Sequence, residues 1–293
     1  MDLAAEWERA GHRLSGGGAW NRAALCFHFA RFLETRDEGA YRATSVRAVE
    51  AREQTLRLLD PGAERLEIDL PPSRMAAILR RPAGVRRAPL VVLIPGLDST
   101  KEEFHTWEEV FLDRGLATLA LDGPGQGEGG NGGAPMRPDY EVAVAAVLDA
   151  VGGRADIDLA RVGLAGVSLG GYYAVRAAAF ERRVRAVVSI GGAYDLGECW
   201  EGLPPATKEK ARFHGVGDPA RFSLRGAATR IRQPLLIVFG RQDRIFPPSQ
   251  AERLAAEAPA AKLVMYETGN HACTNLHWRH TPMEADWLRA NLC

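Results

Sequence analysis

Three residue types that can do chemistry together occur in a telling order along this chain: a serine between glycines, then an aspartate, then a histidine. The serine is Ser168, in Gly166-Val167-Ser168-Leu169-Gly170. A β-rich run, Arg161 to Ala165, precedes it and a helix-like run, Tyr172 to Phe180, follows. That context reads as a nucleophile elbow, a sharp strand-to-helix turn where side chains flanking the serine would clash and glycine is required. Acyl transfer by a serine needs a base to take its proton, a carboxylate to hold the base's tautomer, and N–H donors for the developing oxyanion. The candidate base is His271, in Thr268-Gly269-Asn270-His271. The candidate acid is Asp243, in Phe239-Gly240-Arg241-Gln242-Asp243. Asp195, after the preceding strand, is the rival acid. His277 and His280 lie close by but belong to the approach to the last helix. His12, His28, His105 and His214 read as structural or exposed.

For the oxyanion hole the expected donors are the N–H of Leu169, just after the nucleophile, and one N–H from the turn Pro95-Gly96-Leu97-Asp98, with Leu97 preferred and Gly96 second. A glycine-rich segment, Asp122-Gly123-Pro124-Gly125-Gln126-Gly127-Glu128, invites a phosphate-loop reading. It lacks both G-K-[ST] and a G-x-G-x-x-G leading directly into a helix, so a structural turn bordering the active site is the better reading.

These residues need elements to position them. From Ala63 onward short apolar runs alternate with helical stretches. Leu66 to Leu70 and Met75 to Leu79 read as a hairpin about Pro71-Pro72. Strands are expected at 90–94, 116–121, 162–167, 184–190, 235–239 and 263–266, and helices at 101–114, 140–151, 169–180, 249–258 and 283–292. Buried Val/Leu/Ile strands separated by helices imply a mostly parallel central sheet covered on both faces. In such a sheet the residues just past the strand ends gather at one edge, so Ser168, Asp243 and His271 can converge. The fold class is therefore α/β, the α/β-hydrolase fold. The polar stretch from about 195 to 232, with Trp200, Phe213 and Phe222, is too long for a simple connection and reads as an inserted lid. Residues 1–60 show helical spacing only, as in Trp20, Ala23, Ala24, Phe27, Ala30 and Leu33, with breaks at Gly16-Gly17-Gly18 and Asp37-Glu38-Gly39. They form an N-terminal helical segment before a hydrolase domain at 61–293, and the apolar face around Phe27 and Leu33 calls for a partner surface.

Composition narrows the class further. The 293 residues carry 37 basic and 37 acidic side chains, so no nucleic-acid or anionic-membrane surface is expected. No apolar run approaches a membrane span, and the N-terminus is acidic and amphipathic, unlike a signal peptide. Cys26, Cys199, Cys273 and Cys293 are widely spaced and match no metal pattern; reduced thiols and a cytoplasmic location are expected. No metal or cofactor is called for. The expected partner is a small-molecule substrate, and the helical segment offers a surface for a homodimer.

Several motifs together resemble a known family. They are Gly96-Leu97-Asp98-Ser99-Thr100-Lys101-Glu102-Glu103, the segment Leu121 to Glu128, the elbow with its extra Gly171, and Met283-Glu284-Ala285-Asp286-Trp287-Leu288. Over residues 60–293 they resemble the α/β-hydrolases typified by 2,6-dihydroxypseudooxynicotine hydrolase and the fungal hydrolases that shorten polyketide chains. Fermentation-respiration switch proteins share the broader pattern. The resemblance implies carbon–carbon bond cleavage by a Ser168–His271–Asp243 triad, with the helical segment helping to cap the site. It also implies a substrate-handling acidic residue in the oxyanion turn, usually Glu in the family and here Asp98, one methylene shorter. Asp98, Trp200 and Phe213 are the expected substrate-binding residues. A closed apolar pocket would keep the Asp98 carboxyl protonated for donation to carbon; alternatively Asp98 caps the helix starting near Lys101.

The expectation is a serine hydrolase that cleaves a C–C bond beside an aryl or polyketide ketone. A carboxylesterase or amidase using the same triad is the alternative. A non-enzymatic ligand-binding regulator on the same fold is the third class, and an intact triad argues against it.

Overall fold

The structure, a computed structural model, describes residues 2–34 and 37–293; Met1, Thr35 and Arg36 of the expected helical segment lie outside them. Three helices open the chain: α1 Leu3–Gly16, α2 Trp20–Leu33 and α3 Glu38–Leu59. Asp2 caps α1 and Asp37 caps α3 through side-chain oxygens, as short acceptors before a helix do. Ala23, Ala24 and Phe27 of α2 pack on Ala48 and Ala51 of α3, so the small residues at helical spacing close this layer on itself.

The remaining elements alternate. They are β1 Glu64–Leu70, β2 Ser73–Arg80, β3 Ala88–Ile94, α4 His105–Leu112, β4 Ala117–Asp122, α5 Gly127–Asn131, α6 Glu141–Ala150, β5 Ile157–Val167, α7 Leu169–Phe180, β6 Val184–Ile190, α8 Leu196–Cys199, α9 Pro205–Phe213, β7 Leu235–Gly240, α10 Ser249–Glu257, β8 Ala261–Tyr266 and α11 His277–Leu292. Eight strands make one sheet in the order β1-β2-β4-β3-β5-β6-β7-β8. The β1–β2 and β2–β4 pairs are antiparallel and the others parallel. Successive residues of β3 serve opposite faces. Leu90, Val92 and Ile94 join a core with Val144, Val147, Tyr173 and Leu254; Val91 and Leu93 join one with Trp107, Phe111, Leu288 and Leu292. Helices α6, α7 and α10 thus cover one face and α4 and α11 the other. No helix among the described residues is long and apolar enough to cross a membrane.

Several boundaries differ from the sequence expectation, among them that of β5, which begins at Ile157 rather than at 162. The 101–114 helix is a 3-10 turn at Lys101–Phe104 followed by α4. The last helix begins at His277 rather than Met283. Pro282 looks like a proline at a helix start, where its missing N–H costs nothing, yet it lies inside α11. His280, expected in the approach, is in the helix: its Nδ1 lies 2.5 Å from Glu284 Oε1, a buried pair one helical turn apart.

Candidate active site

The elbow is built as its sequence requires. Strand β5 ends at Val167, α7 starts at Leu169, and Ser168 between them has φ 56° and ψ −123°. A non-glycine residue there is strained, and the surroundings hold it: the Ser168 N–H donates to Ile190 O at the end of β6, 2.8 Å away. A Cβ on Gly166 would lie 1.9 Å from Gly170 O, and one on Gly170 would lie 2.2 Å from Ile94 O. Only glycine permits the close approach of these backbones.

The three chemistry-bearing residues meet. His271 Nε2 lies 2.8 Å from Ser168 Oγ, and His271 Nδ1 lies 2.8 Å from Asp243 Oδ2. A carboxylate only accepts, so Nδ1 carries the proton and Nε2 is left to receive the serine's. The Asp243 side chain is fully buried, and its Oδ1 accepts the N–H groups of Ile245 (2.8 Å) and Phe246 (2.9 Å), which fix its plane. Phe246 sets its ring edge-on to the imidazole, centroids 5.4 Å apart. After His271 the chain turns through two left-handed residues, Ala272 (φ 54°) and Cys273 (φ 52°). Among the described residues, the non-glycine positions with positive φ are Ser168 and these two, so backbone strain is concentrated at Ser168 and just after His271.

Asp195, the rival acid, is committed elsewhere. It caps α8 through Glu198 N–H at 3.0 Å and binds Ser223 Oγ (2.7 Å) and Arg225 (3.0 Å). The other histidines differ in kind. His28 and His214 are buried, His214 Nδ1 lying 3.1 Å from Gly125 O, and burial first, then Arg31, pushes His214 down to about 4. His105 is likewise pushed down to about 4, by burial and then by Arg52 and Arg80. His12 packs edge-on against Phe27. His277 heads α11.

The turn 95–98 lies against the elbow, since a Cβ on Gly96 would come within 3.2 Å of Ser168 Cβ. Leu97 directly follows Gly96 in that turn and Leu169 directly follows Ser168, and Leu169 N–H is the first of α7, a place where helical N–H groups have no intrahelical acceptor. The glycine-rich segment turns out to support this turn. Gln126, fully buried, donates from Nε2 to Pro95 O (2.5 Å) and Gly96 O (3.0 Å), and Tyr140 Oη donates to its Oε1 at 2.7 Å. Sequence reasoning placed the segment beside the site but did not single out Gln126, a long amide among glycines whose two donors suit exposed carbonyls.

Asp98 departs from both expectations. The cap position of the following 3-10 turn is Thr100. Nor is the Asp98 carboxyl in an apolar enclosure: its Oδ2 lies 2.7 Å from Lys210 Nζ, an ion pair reaching from α9 of the insertion. Lys210 in turn sits 3.5 Å above the Phe32 ring of α2. Phe213 packs edge-on against Tyr41, centroids 4.8 Å apart, and with Tyr41, Arg42, Asn131 and His214 it lines a cavity of about 250 Å³. Half-buried Trp200 packs on the sheet core near Arg212. Neither aromatic makes a ring contact with His271, whose ring neighbour is Phe246.

Among the described residues one set of carboxylates lies close enough to share a cation: Glu102, Asp122 and Glu128. Lys101, itself buried, already places its ammonium there, 2.5, 2.8 and 2.5 Å from the three. This hub ties β4, α5 and the turn after Thr100 together.

Comparison with known proteins agrees with this architecture. Residues 4–196 match the family described as esterase FrsA-like, and residues 102–292 match the prolyl oligopeptidase family. A 2,6-dihydropseudooxynicotine hydrolase of Paenarthrobacter nicotinovorans is 36% identical over 98% of this chain and 82% of its own length. A 20-hydroxy-prefusarin hydrolase of Gibberella moniliformis is 34% identical over 70% of this chain, which spans only 52% of that relative. The crystal structure of 2,6-dihydroxy-pseudo-oxynicotine hydrolase superposes with a TM-score of 0.85 at 34% identity, covering 100% of this chain and 87% of the other. The chain therefore belongs to the FrsA-like esterase family of α/β-hydrolases, and it is a hydrolase by family.

Proposed function

We propose that this hydrolase uses Ser168, His271 and Asp243 as its catalytic triad and cleaves a carbon–carbon bond adjacent to a ketone in an aryl-ketone or polyketide-like substrate. The observation that carries the triad is the unbroken chain of two 2.8 Å contacts, from the strained serine through the imidazole to a buried, doubly anchored carboxylate. The bond type is supported by the relative that is similar across 98% of the chain.

His271 Nε2 takes the hydroxyl proton while Oγ attacks the ketone carbon. The carbonyl oxygen becomes an oxyanion facing the N–H groups of Leu97 and Leu169. Collapse re-forms the carbonyl and breaks the C–C bond. Its electron pair leaves on a carbon that must be flanked by a carbonyl or hydroxylated ring to delocalise it. The imidazolium Nε2–H returns the proton to that carbon, Asp98 being held in its ion pair with Lys210. Water, deprotonated by His271, then releases the acyl group from Ser168 as a carboxylic acid. Asp98, Trp200 and Phe213 are assigned to substrate handling, and residues 2–59 with the 195–232 insertion to covering the site.

An esterase reading uses the same residues, and the esterase description of the matched family favours it. The two separate on kcat/KM for a β-diketone against a simple ester of the same acyl group. Carbon–carbon cleavage predicts turnover of the diketone that Ser168→Ala abolishes. Rapid ester turnover with no cleavage of any ketone would establish the esterase reading instead.

A further inference from the structure

We propose that Arg31, on α2 of the N-terminal helices, is a positioning residue that holds the oxyanion turn in register for catalysis. The inference rests on the triad reading above.

Arg31 is 1% exposed. Its guanidinium donates to Tyr41 Oη and to the backbone carbonyl of Asp98. It has no carboxylate partner among the described residues, and its Nε has no acceptor. A buried cation is normally paired with an anion, because desolvating it alone is costly. The nearby carboxylate that could serve, Asp98, is taken by Lys210. A full positive charge therefore rests on two neutral oxygens, one of them in the turn that faces Ser168.

Peptide planarity makes that contact matter. The carbonyl of Gly96 shares a rigid plane with the N–H of Leu97, and the carbonyl of Asp98 shares one with the N–H of Ser99. Gln126 fixes the first plane and Arg31 the second. Only the Leu97–Asp98 peptide lies between the two held planes, so the short stretch that carries the Leu97 N–H is pinned at both ends, directly by Gln126 and one peptide further on by Arg31. The forked guanidinium suits the task, since it bridges α3 and the turn at once; a lysine ammonium keeps the charge but lacks the rigid fork. A preorganised donor matters most in the transition state, so the effect should appear in kcat rather than in ground-state binding.

The test uses the full chain with Arg31→Met and, in case that variant does not fold, Arg31→Lys. Three quantities are measured: kcat and KM on a p-nitrophenyl ester, the rate of Ser168 phosphonylation by a fluorophosphonate, and inhibition by an aryl trifluoromethyl ketone beside its methyl ketone. Arg31→Met should lower kcat and the phosphonylation rate about 10- to 100-fold and weaken the trifluoromethyl ketone by a similar factor, because its adduct carries the oxyanion. KM and methyl ketone binding should move less than about threefold, and Arg31→Lys should lose kcat in the same direction but less. A folded Arg31 variant with wild-type kcat and phosphonylation would overturn the inference, as would a loss confined to KM. If the wild-type Ser168 itself fails to label, the triad reading fails instead.

Discussion

The C-terminal edge of the sheet and the seam between the sheet and the N-terminal helices are both polar, yet they are built on opposite terms. At the edge, one ionisable pair and one hydroxyl line up, and the backbone around them is strained. At the seam, full charges are buried in a relaxed backbone. Arg52 of α3 reaches Glu108 of α4 at 2.7 Å, with side chains 1% and 0% exposed, and Arg80 of β2 approaches the same carboxylate at 3.5 Å while binding Asp60 at 2.7 Å. His28 of α2 sits 3.1 Å from Thr100 and 2.9 Å from Glu103. Burial pushes Glu108 up to about 7 against the pull of both guanidiniums. The difference is that strain and few partners leave reactive groups poised, whereas charges surrounded by partners hold pieces in place. Arg31 belongs to the second region by location and, on the inference above, serves the first.

Changes at the edge should cost rate and spare stability. Asp243→Asn should lower kcat about 10³- to 10⁴-fold by removing the carboxylate that holds the imidazole tautomer, with an unaltered unfolding curve. Asp195→Asn is the control; if it cripples turnover instead, the acid is misassigned. At the seam the order reverses. Arg52→Met should cost about 3 kcal/mol in urea unfolding, since it strands Glu108 without its nearest cation. Its kcat on a small ester should stay within about threefold of wild type, and a large kcat loss without destabilisation would erase the distinction between the regions.

Asp98 lies where the regions meet. Asp98→Asn should lower kcat/KM for a β-diketone and for an activated ester by similar factors, because the imidazolium rather than Asp98 returns the proton to carbon and Asp98 is held by Lys210. A loss about 10-fold greater on the diketone, a differential of about 1.4 kcal/mol, would make Asp98 the proton donor to carbon instead.

The smallest effect is in pH. His105 and His214 are held neutral down to about 4 in the folded protein, while an unfolded chain protonates them near 6.5. The unfolded state thus binds more protons between those values, and the stability these residues contribute is present above pH 6.5 and lost as pH falls toward 4. Glu108 acts in the opposite sense from about 4.5 to 7, because there the folded state holds the extra proton. His214→Gln should therefore make the Tm decline between pH 6.5 and 4.5 shallower, and a steeper decline would contradict the assignment.

The sheet and the meeting of Ser168, His271 and Asp243 were legible because each signal is local. Strands of Val, Leu and Ile end in Gly166 to Gly170, in Gly240 to Asp243 and in Gly269 to His271, and a parallel sheet brings those ends together. The seam was not legible. Apolar periodicity around Phe27 and Leu33 suggested an apolar interface, but Phe27 is used within the helical layer and Leu33 is 43% exposed. His28, Arg31 and Arg52 face the hydrolase, and a pattern read from apolar residues passes over buried charges. The signal available was a cation directly after Ala30 in the buried stripe of α2. Lys210 was missed for a related reason: a lysine in a polar insertion looks solvated until its carboxylate partner, 112 positions away, is known.

The most direct measurement of the central claim is rapid-quench mass spectrometry during turnover of an aryl β-diketone. Carbon–carbon cleavage through Ser168 predicts a transient acyl adduct on the peptide that carries Ser168, absent in Ser168→Ala, with deuterium on the released carbon product when the reaction runs in D₂O. Cleavage of the diketone that persists in Ser168→Ala, or an adduct formed from simple esters while no ketone is cleaved, would contradict the account.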